Sequence, residues 1–513
     1  MRHVAWVCWA VVIAAPATAQ VPALGVPRGQ LRVEVSGGFG TAGESYVDGA
    51  LRPLRADWNA MMGSAWLPAL ADAESRVRAL TGDASYQISL GRSTVAGSTT
   101  LSEGRLGMAL GLTGRITLFG AVPVVRRRAE TRLASDSATA NAGFNPADPA
   151  FGTSAGASQT TQFFGQFDAA LGTLAQKLAN GDYDSDPATK TLAQQTLADG
   201  TALRGALYGL LQDPATAATF VPTDSSAAGQ AIRGSVDALQ TTLSASLGVS
   251  GFTTDPALAA ARFGGSDYLR FVTSVNGPVR ALYRGDESRG RLGDMELGAT
   301  VTLLDRWRRR GPGYRVAATG LVRLPTAVLD RTDDFFDYPT GDAQLDVEGR
   351  IAADLRLGRV GARLSGGYNL QNARARDLRV TRPDQPLAYA DRLARVSVDP
   401  GDEWQVGVEP FVALAPGFAL LGGVFRSSHG TDAATYVGAG PLGVAASDLT
   451  VGSARTATVW QAGLTYSSAG LGDGRGTPVD ASWRVQWVTG SSEGRVEKLR
   501  RMGFEVRWFY RVW

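Results

Sequence analysis

Catalytic chemistry in this chain would depend on a single histidine. The 513 residues contain two histidines, and His3 lies in a predicted leader, which leaves His429. A catalytic base needs a nucleophile within hydrogen-bond reach. The adjacent Ser428 would point to the opposite face of a strand. The sequence therefore predicts no catalytic residue and no enzyme, and a hydrolase centred on His429 is only the third hypothesis.

Metal binding would have to rely on carboxylates, because the one cysteine, Cys8, also lies in the leader. Residues 182–186 have the Asp-x-Asp-x-Asp spacing that opens a calcium loop, but the following glycine and the distal glutamate are missing. A second acidic group, residues 333–337, falls in a predicted loop. Solvated turns explain both groups better, so the sequence predicts no metal site and no cofactor.

Charged side chains recur at every second position in the C-terminal half of the chain. In the segment 345–357, Val347 and Ile351 share an apolar face, whereas Asp346 and Glu348 share the opposite one. This pattern is typical of a barrel wall whose outer face meets lipid and whose inner face meets a polar lumen. The residues predicted to line the lumen are Asp294, Glu296, Arg315, Arg323, Asp346, Glu348, Arg350, Asp354, Arg356, Arg363, Glu403, Glu409, Arg455, Arg484, Glu505, Arg507 and Arg511. Since acidic and basic side chains are mixed, no strong cation or anion selectivity is predicted. The alternative role for these residues is structural, as cross-strand ion pairs that hold the barrel wall.

The last stretch of the chain, 503–513, is predicted to close the barrel. It alternates with period two and is rich in aromatic residues up to its end. The closing residues are Phe504, Val506, Trp508, Tyr510, Val512 and Trp513. This stretch resembles the C-terminal strand of bacterial outer-membrane barrels, which the barrel-assembly machinery reads, although Trp513 falls on the side of Arg511.

The N-terminus predicts export. Residues 1–19 combine a short basic region, an apolar core and the small-residue cleavage pattern Ala17-Thr18-Ala19, which together indicate a signal peptide. Residues 20–513 are then expected to form an outer-membrane β-barrel. Without Arg2, 50 basic residues face 48 acidic ones, a balance that argues against a nucleic-acid partner.

The predicted fold is an all-β membrane protein: an antiparallel up-and-down transmembrane β-barrel of about 14 strands (range 12–16). The count of fourteen includes an extended stretch at 44–54 and two separate strands at 84–95 and 100–112. It carries a helical segment at 55–83 and a mostly helical insertion at 131–290, which lies outside the barrel or plugs its lumen. Counting back from a periplasmic C-terminus also places 327–341, 377–401 and 431–453 outside. The same count places 55–83 on the periplasmic side.

Helical spacing appears in two places. Trp58, Met62 and Trp66 belong to one apolar stripe, and Leu70 to Val77 continue it before a predicted C-cap at Gly82. In the insertion, a longer stripe begins at Phe164 and steps by three and four. We expect these helices to pack on one another, and we predict that at least one of the segments 58–82 and 150–260 constricts the pore.

Short motifs at strand ends resemble one family. They are Thr113-Gly114, Val122-Pro123, Gly293-Asp294, Leu324-Pro325-Thr326, Thr340-Gly341-Asp342 and Gly366-Gly367-Tyr368-Asn369. In these motifs the chain is similar to the outer-membrane barrels associated with the meta-pathway of phenol degradation. Those barrels resemble the long-chain fatty-acid transporters. The resemblance covers about a quarter of the chain. It implies a channel for small molecules, hydrophobic ones among them.

Two hypotheses therefore lead. The first is an outer-membrane channel or uptake protein for small molecules. The second is a structural or surface-interaction barrel that displays the 131–290 helices. The expected partners are outer-membrane lipid and lipopolysaccharide, the barrel-assembly machinery and a small-molecule permeant, and the sequence leaves the oligomeric state open.

Overall fold

The computed structural model describes residues 25–283, 286–307, 312–382, 385, 387, 392–441, 443–468 and 478–513, so the predicted signal peptide lies outside the described residues. Twelve antiparallel strands form a closed ring in which each strand pairs with the next, and the last pairs with the first. In chain order β1 to β12 are Gln30–Ala42, Ser89–Gly111, Ile116–Asp136, Met295–Asp305, Gly313–Leu324, Asp346–Leu357, Val360–Leu370, Glu403–Ala415, Phe418–His429, Arg455–Ser467, Val479–Gly490 and Arg500–Arg511. The up-and-down barrel is confirmed.

The ring has twelve strands rather than about fourteen, for two reasons. The predicted strands 84–95 and 100–112 are parts of one 23-residue strand, β2. The predicted strand 44–54 is a hairpin, Glu44–Val47 and Ala50–Pro53, that pairs with Arg495–Glu497 outside the ring. Asp48 and Gly49 both have positive φ, as the tight two-residue turn of such a hairpin requires.

Two further strands extend the sheet without joining the ring. Met61–Gly63 pairs with β2, and Asp286–Leu292 pairs with β3. A break at Gly293 and Asp294 separates Asp286–Leu292 from β4. This break gives Asp294 its position at the barrel mouth, described below.

The barrel is polar inside and apolar outside. Along β6, Val347 and Ile351 are 45% and 53% exposed, whereas Asp346 and Glu348 are 1% and 7% exposed. The outer aromatic residues include Trp404, Trp460, Trp483, Phe504 and Tyr510. The sheet therefore presents its apolar face to the surroundings, as the alternation predicted.

Five α-helices lie outside the barrel wall. They are α1 (Leu70–Thr81), α2 (Ser154–Ala179), α3 (Pro187–Leu211), α4 (Ala227–Thr241) and α5 (Gly265–Thr273). Side chains cap three of them: Thr153, Asp186 and Ser226 each accept a backbone N–H from the first turn. Among the described helices, none is long and apolar enough to cross a membrane.

The segment 55–83 packs against the insertion at the same barrel mouth. Trp58, Met62 and Leu70 share one continuous apolar core with Phe163 and Tyr268. We call this unit, residues 55–83 and 137–283, the helical domain. The predicted placement of 55–83 at the opposite end was wrong, because dividing β2 into two strands reversed the count.

Local boundaries also differ from the prediction. Residues 131–136 belong to β3, so the insertion begins at 137. Met61–Gly63 is a strand rather than part of a helix, and its alternation leaves Met61 43% exposed while Met62 is buried. Gly82 does end α1 in the left-handed conformation, with φ of 70°.

Candidate functional site

A cavity of about 290 Å³ lies inside the barrel at the mouth that carries the helical domain. Its wall includes Glu103 and Arg105 of β2 and, across the ring, Glu403 of β8. The loop between β5 and β6, residues 325–345, supplies a further part of the lining. Further loop positions in the lining are Gln371, Arg376, Pro400 and Asp432, together with Gly293 and Asp294 at the break before β4.

Asp294 fixes both ends of the loop 325–345. One carboxylate oxygen accepts the N–H groups of Thr326 and Ala327 at 3.1 and 3.0 Å, and the other accepts the N–H of Ala343 at 3.3 Å. A Cβ atom on Gly341 would lie 2.3 Å from Asp294 Oδ2, so only glycine allows this approach. The break before β4 thus positions a loop inside the barrel mouth.

The far side of the same loop is anchored in the helical domain. The rings of Phe335 and Phe336 lie 5.5 and 5.3 Å from that of Trp58. The hydroxyl of Tyr338 accepts a hydrogen bond from Arg55 at 2.8 Å. The loop therefore connects the apolar core of the helical domain to the charged cavity.

The cavity has a group of carboxylates on the side of β4 and β6. Burial, and then the negative charge of Asp342, raise the pKa of Asp294 to about 6. Asp346 is 1% exposed, and the nearest guanidinium nitrogen, on Arg323, is 3.9 Å from it. Arg323 also pairs with Glu348, so its charge is shared.

Ion pairs link strands of the wall, and some of the paired residues also line the cavity. Arg105 on β2 reaches Glu34 on β1 at 2.7 Å and Glu296 on β4 at 2.8 Å. Arg507 on β12 donates to Glu34 at 3.0 Å. These contacts support the prediction that part of the charged ladder braces the barrel.

His429 forms a buried pair with Asp432, with Nε2 and Oδ1 2.7 Å apart. Burial acts to raise the pKa of Asp432, but hydrogen bonds from His429 and the Gly401 N–H hold it below its usual value. The Nδ1 atom of His429 has no hydrogen-bond partner within the described chain. The pair lines the cavity, and the hydroxyl of Ser453 accepts the backbone N–H of Asp432 at 2.8 Å. Among the described residues, no hydroxyl hydrogen-bonds to the ring of His429 or to the carboxylate of Asp432.

The predicted lumen residues fall into three groups. The cavity is lined by Asp294, Glu296, Arg323, Asp346, Glu403, Arg455, Arg484 and Glu505. Inward contacts elsewhere along the wall are made by Glu348, Arg350, Asp354, Arg363, Glu409 and Arg507. Three arginines lie near the other end and do not reach the cavity: Arg315, Arg356 and Arg511.

The closing strand has the predicted geometry. β12 pairs with β1 from Gln30↔Arg511 to Thr41↔Arg500. Phe504 and Tyr510 are 55% and 46% exposed on the outer face, whereas Glu505 is buried inside. At the end of the chain, the Val512 N–H donates to the Gly29 carbonyl at 2.8 Å.

Sequence reasoning did not assign several cavity residues to a site. They are Glu103, Arg105, Asp330, Asp342, Gln344, Asn369, Arg376 and Arg501. Two of them, Asp342 and Asn369, stand in the motifs Thr340-Gly341-Asp342 and Gly366-Gly367-Tyr368-Asn369. The motifs of the family resemblance were therefore the available signal, because their polar residues converge on the cavity.

Comparisons with known proteins concern the architecture. No family model matches the chain, and a search of curated proteins finds no match. Among solved structures, an outer membrane channel from Pseudomonas putida F1 is 10% identical, with 96% of this chain and 98% of that chain covered and a TM-score of 0.43.

Two further similar structures are a Pseudomonas aeruginosa FadL homologue and the Ralstonia pickettii toluene transporter. Their identities are 7% and 8%, and their TM-scores are 0.25 and 0.26. The alignments cover 94% of this chain in both cases, with 91% and 90% of the other chain. At TM-scores below 0.5, these similarities do not define the barrel, which rests on the strand pairing described above.

Proposed function

We propose that this protein is an outer-membrane channel or uptake protein for small molecules. The observation that carries the proposal is the charged cavity inside a closed barrel whose outer face is apolar. A ring of twelve strands is wider than the eight-stranded barrels whose side chains just fill the interior, and its charged lining makes this space suitable for a small solute. The lining contains both acidic and basic side chains, so it suits polar permeants. The cavity volume of about 290 Å³ limits them to small molecules.

The proposed location follows from the same surface. The apolar outer band suits the lipid of the outer membrane, lipopolysaccharide included. Export through a cleaved signal peptide at 1–19, and recognition of β12 by the barrel-assembly machinery, belong to this proposal.

Planar-bilayer recording of the refolded full-length protein tests the channel. We expect stepwise conductance in potassium chloride, with weak selectivity between potassium and chloride. A correctly folded barrel that never conducts and gives no solute flux in liposomes contradicts the proposal.

The loop 325–345 is the segment that we propose as the constriction. Several of its residues line the cavity, whereas no residue of 58–82 or 150–260 is among the lining residues within the described chain. Replacing 329–341 with a short glycine linker should raise single-channel conductance more than deleting 150–260 does. The sequence-based prediction that one of the two helical segments constricts the pore stays a prediction, and the deletion of 150–260 tests it in the same recordings.

A second candidate function is display of the helical domain. It is favoured by the continuous apolar core of that domain, and by the absence of residues 58–82 and 150–260 from the described cavity lining. Under this alternative, the isolated chain would be electrically silent and would bind a partner through the helices. Conductance therefore separates the two candidates.

A further inference from the structure

Five cavity residues form what we call the carboxylate–amide cluster: Asp294, Asp342, Gln344, Asp346 and Asn369. They come from the β4 break, the loop 325–345, β6 and β7, and all line the cavity. Asp294 and Asp342 act on each other electrostatically. No arginine or lysine nitrogen of the described chain lies within 4.0 Å of either carboxylate.

The cluster has three buried oxygens without a partner. They are Asp346 Oδ1, Asn369 Oδ1 and Gln344 Oε1, which no donor of the described chain satisfies. The three residues are only 1%, 5% and 5% exposed. An unsatisfied buried acceptor destabilises the folded protein, so this region is suited to a ligand that brings hydrogen-bond donors.

Neighbouring arginines neutralise the cluster only in part, because each is shared with other carboxylates. Arg323 is 3.9 Å from Asp346 and is shared with Glu296 and Glu348. Arg376 acts on Asp342 and is shared with Asp432 and with Asp330, 3.6 Å away. The cluster therefore has an excess of negative charge as well as an excess of acceptors.

We propose that the carboxylate–amide cluster binds the primary ammonium group of a small organic permeant. Such a group has one positive charge and three N–H donors, which match the three unsatisfied oxygens in number. This inference rests on the proposed channel function, because it names the class of molecule that the cavity holds. Among the described residues, no set of three or more His, Cys, Asp or Glu side chains is arranged to hold a metal ion.

Isothermal titration of the refolded full-length protein at pH 7.5 tests the proposal with two cations of equal charge. Propylammonium chloride should bind, and tetramethylammonium chloride, which has no N–H donor, should bind at least tenfold more weakly. Calcium chloride is the third titrant. Equal affinity for the two organic cations, or tighter binding of calcium than of propylammonium, overturns the proposal.

Two variants locate the site. Asp346→Asn removes a charge, and Asn369→Leu removes an amide oxygen without changing charge; each should weaken propylammonium binding at least tenfold. Asp305→Asn, at the other end of the barrel, is the matched control and should leave binding unchanged. Heat-modifiability on gels confirms that each variant is folded, and Asn369→Leu serves alone if Asp346→Asn does not fold.

Wild-type affinity in folded Asn369→Leu means that water satisfies these oxygens and overturns the proposal. Conductance in potassium chloride separates this failure from failure of the channel. A conducting barrel without propylammonium binding refutes the ammonium site alone, whereas binding without conductance refutes the channel.

Discussion

The barrel and the helical domain of this chain have opposite polarity. The barrel buries Glu34 and Asp346 and exposes Leu106 and Ile351, whereas the helical domain buries Phe163 and Phe167 completely. Each arrangement is stable only in its own surroundings, since apolar surface is unfavourable in water and charge is unfavourable in lipid. One chain therefore contains two units that respond to substitution in opposite ways.

The largest effect is expected in the core of the helical domain. Phe167 is fully buried, and its ring stacks on Phe252 with centroids 4.5 Å apart. Phe167→Ala should cost about 3–5 kcal/mol and should expose 137–283 to limited proteolysis. Leu192→Ala, at a position 39% exposed, is the control and should change little.

The heat-modifiable mobility of the barrel should survive Phe167→Ala. Simultaneous loss of both units in one transition would contradict the view that they are stabilised separately.

A charge on the outer face of the barrel should have the next largest effect. Val506→Arg places a cation against lipid, which costs about 2–4 kcal/mol near the midplane. Urea unfolding in lipid vesicles measures this loss. The same substitution at Val275, which is 80% exposed on the helical domain, should be nearly neutral. Equal effects at the two positions would mean that the outer band does not face lipid.

Loss of an inward arginine should cost somewhat less. Arg507→Leu leaves Glu34 and Glu505 without a shared partner, with an expected loss of about 1.5–3 kcal/mol. The loss of stability should be smaller at acid pH, because protonation of Glu505 removes the charge that Arg507 no longer balances. Arg511→Leu, at an exposed position, is the control. A loss that is the same at pH 8 and pH 4 would point to packing instead of charge.

The smallest effect concerns the carboxylates at the barrel mouth. The pKa of Asp294 is raised from 3.8 to about 6 in the folded protein. The free energy of unfolding is therefore highest below about pH 4, falls as the pH rises from about 4 through 6, and then levels off. Asp342→Asn removes the neighbouring charge and should gain about 1 kcal/mol at pH 8 and nothing near pH 4. Urea titrations at the two pH values measure the difference, and a gain that does not depend on pH would reject this assignment.

Alternation along the sequence was sufficient to predict which barrel residues face inward. Asp346, Glu348 and Glu505 are buried and Val347 and Phe504 are exposed, as period two requires. Strand ends were harder to predict, because small residues at 96–99 weaken the pattern within β2. Dividing β2 into two predicted strands added one strand to the count and placed 55–83 at the wrong end of the barrel.

The composition of the cavity could not be read from the same alternation. Asp342 and Gln344 stand in a loop, where no period fixes the direction of a side chain, and Asp294 stands at a break between two strands. The hydrogen bonds that the Asp294 carboxylate accepts from the N–H groups of residues 326, 327 and 343 decide where the loop lies. Such contacts join positions up to 49 residues apart.

By itself, the sequence determined the barrel class, the inward and outward faces, the closing strand and the apolar stripes of α1 and α2, because each depends on neighbours within a few residues. The tertiary structure alone decided the twelve-strand ring, the position of 55–83 beside the insertion, and the meeting of Asp294, Asp342 and Asn369. Ring closure and loop placement depend on contacts between distant segments, and local periodicity contains no information about those contacts.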